Sequence, residues 1–129
     1  MTATILIVED ELIAAESIAR SLRKQGYTVI ARINSGEKAL EQVAKNCPDL
    51  ILMDIHLRGE LDGVETAKRI REQHQTPIVY ITAYSDTSTI ERTKETNPSG
   101  YLVKPFKSQD VIDIVEKALQ SIALGNREQ

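Results

Sequence analysis

The chain has almost nothing from which a thiol-based centre could be made: one cysteine, Cys47, in 129 residues. A single thiol excludes an internal disulfide and a cysteine-based zinc site, and Cys47 reads as a packing residue. Long apolar runs are missing too. None approaches the roughly 20 residues that cross a bilayer. Met1-Thr2-Ala3-Thr4 lacks the basic region and cleavage pattern of a secretion signal. A cytoplasmic protein with no membrane partner is expected. Basic residues are not in excess: 16 Lys and Arg stand against 19 Asp and Glu, for a net charge of −3. Phosphate contacts need clustered cations, so no direct nucleic-acid binding is expected. Linkers, repeats and low-complexity stretches are also missing. The expectation is one domain over 1–129, its core at about 4–124 and a frayed polar tail at 125–129.

What the chain does have is a fivefold alternation. Short apolar runs rich in Ile, Leu and Val predict strands at Thr4–Val8, Tyr27–Ile33, Leu50–Met53, Ile78–Thr82 and Gly100–Val103. Tyr27–Ile33 alternates more and contains Arg32, which places it at a sheet edge. Helices are predicted at Glu11–Gln25, Gly36–Asn46, Gly63–Gln73, Thr87–Thr96 and Gln109–Ala123. The first carries Leu12, Ile13, Ala15, Ile18, Ala19 and Leu22 at helical spacing. Gly26 closes it, and Ser35 and Ser108 are expected N-caps of the second and fifth helices. Strictly alternating βα units imply an α/β fold: a doubly wound, five-stranded parallel sheet in a three-layer sandwich. Its expected strand order is 2-1-3-4-5, the flavodoxin-like (βα)5 arrangement.

Three of these runs end on charge. Ile5-Leu6-Ile7-Val8 ends in Glu9-Asp10, Leu50-Ile51-Leu52-Met53 in Asp54, and Tyr101-Leu102-Val103 in Lys104-Pro105. Charges are costly to bury unpaired, so they belong at strand ends. In an open parallel sheet those ends share the edge where ligands bind. The 2-1-3-4-5 order makes Glu9, Asp10 and Asp54 neighbours. Clustered carboxylates repel and raise one another's pKa, a conflict that Mg²⁺ (or Mn²⁺) with its oxygen ligands removes. Asp54, alone at the end of the central strand, is the candidate nucleophile toward a phosphoryl group. Lys104 would pair with the incoming charge, and the Thr82 hydroxyl would donate to a phosphoryl oxygen. Each residue has a plainer reading alone. Glu9 and Asp10 suit a helix N-terminus, Thr82 is a strand former, Lys104 a solvated strand end and Tyr101 a core aromatic. Convergence favours a site.

Glu9-Asp10, Leu52-Met53-Asp54, Asp62-Gly63, Thr82-Ala83 and Lys104-Pro105-Phe106, in this order and over roughly Ile5 to Leu124, resemble the receiver domain of bacterial response regulators. The resemblance implies a phosphorylation-activated signalling switch rather than a metabolic enzyme. It implies that Asp54 accepts phosphate from a histidine kinase or phosphotransfer protein. Glu9, Asp10, Asp54 and the backbone carbonyl of His56 would hold the Mg²⁺. Thr82 and Lys104 would contact the phosphoryl group, and Tyr101 would be the switch aromatic. The Lys104–Pro105 bond would be cis. His56 and Tyr84 fall at positions linked to phosphate lifetime. The face of the fourth helix, fifth strand and fifth helix would control a downstream protein or an attached output domain, and two copies would pair through it. One departure stands out. The segment Ile55–Asp62 is one residue longer than usual and has Arg58-Gly59 where proline commonly stands.

Other functions fit less well. A flavin carrier on this fold needs a hydroxyl- and glycine-rich loop after the first strand, where Glu9-Asp10-Glu11 stands. An aspartate-nucleophile phosphatase usually has an acid where His56 is. A receiver-like domain that binds partners without phosphorylation has no chemical need of the acid set. The domain could also be a regulatory module of a longer kinase or transcription regulator.

Overall fold

Strands and helices alternate along the chain as β1 (Thr4–Val8), α1 (Leu12–Lys24), β2 (Thr28–Ile33), α2 (Gly36–Lys45), β3 (Leu50–Asp54), α3 (Gly63–Arg71), β4 (Ile78–Ala83), α4 (Thr87–Thr93), β5 (Gly100–Lys104) and α5 (Ser108–Glu128), with one 3₁₀ turn at Lys94–Thr96. The structure, a computed structural model, describes residues 2–83 and 87–128, with side chains described through residue 121. All strand pairs are parallel and the sheet order is β2-β1-β3-β4-β5. β2 takes an edge, and its Arg32 forms an exposed ion pair with Glu16 of α1.

Uniformly apolar strands are divided between two layers by the two-residue period of the strand. Ile5 and Ile7 pack with Ala15 and Ile18 of α1 and Val111 and Val115 of α5. Leu6 and Val8 pack with Ala39 and Val43 of α2 and Val64 and Ala67 of α3. Fully burying one such side chain contributes about 1.5–3 kcal/mol. Both faces are therefore covered, and the open carboxyl edge is left for polar chemistry. Among the described residues no helix is long and apolar enough to cross a membrane.

Chain punctuation follows local chemistry. Gly26, at φ +91°, lets α1 end in a paired turn: its own N–H reaches Arg23 O, and Tyr27 N–H reaches Leu22 O. Ser35 caps α2 by accepting from Lys38 N–H. Ser108, expected from the sequence to cap α5, is not its cap. It is the first residue of α5, its hydroxyl meets Ser21 at 2.9 Å, and Asp110 takes the free N–H of Lys107 at 2.8 Å.

Several expectations are corrected. β3, β4 and β5 each run one residue further, so Asp54 and Lys104 are the last residues of their strands rather than the first beyond them. The ladder continues because Ile55 N–H still finds Ile81 O. Leu12 and Ile13 are 75% and 86% exposed. Cys47 is exposed, its sulfur 2.9 Å from the Thr76 hydroxyl. The backbone of α5 is helical to Glu128.

Candidate functional site

Register builds the site. Val8 lies opposite Met53 across β1 and β3, so Glu9 and Asp54 emerge side by side. Asp54 lies opposite Ile81 in β4, and Ala83 lies opposite Lys104 in β5. Residues 9 and 104 are thereby brought into contact. Asp10, Glu11, Asp54, His56, Arg58, Thr82, Ala83 and Lys104 line one cavity of about 380 Å³ at this edge.

Glu9, Asp10 and Asp54 each offer a carboxylate oxygen within 4.8 Å of the others. Glu9 and Asp54 are buried. Asp54 Oδ1 accepts the His56 N–H at 2.9 Å, while Oδ2 lies 3.5 Å from Lys104 Nζ. Lys104 Nζ is also 3.2 Å from Glu9 Oε1 and 3.1 Å from Glu11 Oε1. Glu9 Oε2 accepts the Glu11 N–H. Its Oε1, fully enclosed, has the ammonium near it but no hydrogen bond. The Glu9 carboxyl is pushed up to about 8, first by burial, then by its contact with Asp54. Burial pulls Lys104 down, but the hydrogen bond to Glu11 and the charges of Asp54 and Glu9 outweigh it, holding the ammonium above its ordinary value.

An enclosed carboxylate oxygen without a hydrogen bond, among three acids with one nearby ammonium, fits a small hard cation. The oxygen donors are the type Mg²⁺ prefers, and a divalent charge would offset both the burial and the contact with Asp54 that push Glu9 up.

Thr82 is buried at the same edge, its hydroxyl donating to Ala83 O at 3.2 Å. His56 is exposed on the loop after β3, and its N–H rather than its imidazole meets Asp54. Tyr101 lies outside the cavity. The Lys104–Pro105 peptide is cis. Tyr84 falls outside the described residues.

The loop after β3 is firmly seated. Leu57 and Leu61 are buried, and Leu61 N–H reaches Glu37 Oε1 at 3.3 Å. Asp62 caps α3 through Glu65 N–H, and its other oxygen binds Arg92 of α4 at 3.1 Å. Gly63 follows because α3 starts hard against β3: a Cβ there would lie 2.0 Å from Asp54 O.

Several partners escaped sequence reasoning. Glu11 grips Lys104, which its place after Glu9-Asp10 hinted at. Arg58 reaches Asp10, and its unusual position was the available signal. A hydroxyl network also lies under α4. Tyr80 and Tyr101 are register partners whose rings stack at 6.1 Å. Tyr80 OH meets Thr96 Oγ1 at 2.6 Å, and Tyr101 OH meets Thr93 Oγ1 at 2.5 Å. Arg71 completes it from α3, donating to Thr96 O at 2.8 Å and to Thr76 O.

The family model described as response regulator receiver domain matches residues 5–116. The transcriptional regulatory protein PdtaR of Mycobacterium tuberculosis is 35% identical over 115 residues, covering 89% of this chain and 56% of that protein. Among solved structures, the N-terminal domain of a response regulator/sensory box/GGDEF protein from Carboxydothermus hydrogenoformans is 41% identical, with a TM-score of 0.87 and coverage of 95% and 98%. The signal receiver domain of a modulated diguanylate cyclase from Desulfovibrio desulfuricans is 38% identical, with a TM-score of 0.90 and coverage of 97% and 99%. The chain spans about half the length of the first curated relatives it matches.

Proposed function

From the premise that this chain belongs to the response regulator receiver domain family, a family of signalling domains rather than metabolic enzymes, we propose that it is a phosphorylation-controlled switch with Asp54 as phosphoacceptor. One observation carries the reading most: Asp54 stands between two other carboxylates, within 4.8 Å, and the Lys104 ammonium, at 3.5 Å. Nothing in the packing of the core requires that arrangement.

In this reading Glu9, Asp10, Asp54 and the backbone carbonyl of His56 hold Mg²⁺ or Mn²⁺. The cation supplies charge neutralisation for the approaching phosphoryl group. The Asp54 carboxylate oxygen bonds to phosphorus, and the bond to the donor breaks with its electron pair leaving on the donor. Lys104 exchanges part of its contact with Glu9 and Glu11 for a phosphoryl oxygen. Thr82 turns its hydroxyl from Ala83 O to another. The phosphate source is a histidine kinase or phosphotransfer protein. Leu12 and Ile13, exposed in the first turn of α1 just after Glu11, give such a protein an apolar foothold. His56 stands close enough to affect water access and so phosphate lifetime. Tyr84 is proposed for the same role on sequence position alone.

The signal would leave through α4, β5 and α5. Moving Thr82 disturbs the floor of α4, where Tyr101 is tied to Thr93. The charge-assisted contacts to a phosphate contribute roughly 1.5–3 kcal/mol each. Two or three suffice for the about 5.5 kcal/mol that turns a 1:99 equilibrium into 99:1. A downstream protein or attached output domain reads that face, and two copies pair through it. The setting is a single receiver domain in the cytoplasm.

The test is incubation with Mg²⁺ and acetyl phosphate beside an Asp54→Asn variant, read by intact mass. A phosphate-sized gain in the parent alone, abolished by chelator, is the expected result. No gain under rapid sampling would replace this reading with partner binding independent of phosphorylation.

A further inference from the structure

Arg58 is the residue at the mouth of the cavity that the proposed mechanism leaves unused. Its backbone N–H donates to Asp10 Oδ2 at 3.2 Å, and its guanidinium Nε lies 3.6 Å from the same oxygen. The rest of its side chain is open to solvent, 90% exposed. The loop aims it there. Leu57 and Leu61 anchor the two ends in the core, and Glu37 holds the Leu61 amide. Between them, the chain turns at Gly59 with φ +105°, a conformation that strains any residue with a Cβ. The residue before that turn is directed over the acids.

We propose that Arg58 guards the acidic pocket in two steps. In the metal-free protein it is the counter-ion of Asp10. When Asp10 turns to a divalent cation, the guanidinium is released at the cavity mouth, where it meets the phosphoryl group of the incoming donor. The inference rests on reading Asp54 as the phosphoacceptor. The group suits both tasks, since a guanidinium stays charged and its planar fork matches carboxylate and phosphate alike. Lys104 cannot do the second task at the mouth. Before the donor arrives its ammonium is held by Glu9, Glu11 and Asp54, and it meets the phosphoryl group only as these contacts are exchanged. With acetyl phosphate, the Asp54 oxygen–phosphorus bond forms, the bond from phosphorus to the acyl oxygen breaks, and acetate leaves with the electron pair. Arg58 contributes charge only, and no proton moves.

The two steps have opposite signs, which separates them from a mere loop-holding role. Removing the charge takes the guanidinium off Asp10, leaving only the backbone N–H on that oxygen, and removes a repulsion against the cation, so metal binding tightens. It also takes away an attraction for the donor, so phosphorylation slows. An exposed ion pair shifts an equilibrium by about two- to fivefold, and both effects fall in that range. A residue that only shaped the loop would weaken both when changed.

The experiment uses Arg58→Gln and Arg58→Lys. Mg²⁺ affinity is measured by calorimetry on the unphosphorylated protein. The initial rate with acetyl phosphate is measured by intact mass at saturating Mg²⁺. Arg58→Gln should bind Mg²⁺ about two- to fivefold tighter and be phosphorylated about two- to fivefold more slowly, with both differences shrinking at high salt. Arg58→Lys keeps the charge without the fork, so it should match the parent in Mg²⁺ affinity and lie between the two in rate. Unchanged or weaker Mg²⁺ binding by Arg58→Gln, or an undiminished rate at saturating Mg²⁺, would overturn the proposal. A parent that takes no phosphate would sink the phosphoacceptor reading instead, and the Mg²⁺ titration would still judge the first step.

Discussion

The phenolic oxygen of Tyr101 lies 2.5 Å from the Thr93 hydroxyl, so β5 is tied to α4 by a single hydroxyl pair. Thr93 is fully buried, and its own hydroxyl also meets Ile90 O at 2.6 Å. The aromatic ring is held from beneath by Tyr80, whose hydroxyl is in turn fixed by Thr96. One tyrosine–threonine tie thus holds the last residue of α4, and the other holds the end of the 3₁₀ turn that follows it.

Thr93→Val keeps shape and removes the tie. We expect about 1–3 kcal/mol lower stability in urea, the net worth of the two hydrogen bonds that the Thr93 hydroxyl makes, to Tyr101 and to Ile90 O. The Tyr101 ring resonances should also average more freely by NMR. A variant as stable as the parent, with unchanged ring signals, would mean that the tie does not restrain Tyr101.

Tyr80 makes stability fall at high pH. Burial, ahead of every other influence, pushes its phenol up to about 12, while a tyrosine of the unfolded chain ionises near 10. The contribution is complete below about pH 10 and fades as pH rises toward 12, amounting to about 3 kcal/mol. Denaturation at pH 9, 10.5 and 12 should show that slope in the parent. Tyr80→Phe should lack this part of it. Equal slopes in the two proteins would place the ionisation elsewhere.

Gly63→Ala should be poorly tolerated. The added carbon would sit 2.0 Å from the Asp54 carbonyl oxygen, an atom of a central strand that cannot give way. Overpacking typically costs 1–3 kcal/mol, and we expect about the upper end, with slower acceptance of phosphate because the end of β3 shifts. Normal denaturation and phosphorylation would show that α3 slides at little cost.

Asp54→Asn should stabilise the metal-free protein by about 1 kcal/mol, since it relieves the repulsion of Asp54 with Glu9 and Asp10, and Lys104 keeps Glu9 and Glu11 as partners. Excess Mg²⁺ should reverse the ranking. A cation at a hundred times its dissociation constant adds about 2.7 kcal/mol to the parent and less to a variant missing one ligand charge. Thermal melts with chelator and with Mg²⁺ check this. A parent whose melting ignores Mg²⁺ would deny the cation its site.

Much of this was legible along the chain. Ile5 to Val8 and Leu50 to Met53 read as buried strands, and Glu9, Asp10, Asp54, Thr82 and Lys104 stood where those strands and their partners ended. The ends of β3, β4 and β5 were each misplaced by one residue, because ladder continuation depends on whether the neighbouring strand still offers a carbonyl. Leu12 and Ile13 looked like core because helical spacing says which residues share a face, not whether the sheet extends under that face.

The sequence by itself determined the alternation of strands and helices and the ordering of charged residues onto one edge. Those follow from local periodicity and from the cost of burying charge. Only the tertiary structure decided that Lys104 divides its ammonium among Glu9, Glu11 and Asp54, that Arg58 reaches back to Asp10, and that Tyr80 and Tyr101 stack beneath α4. Each depends on register and loop path between segments up to 95 positions apart, as with Glu9 and Lys104 (104 − 9). Spacing along a chain carries no record of distances set by pairing across a sheet.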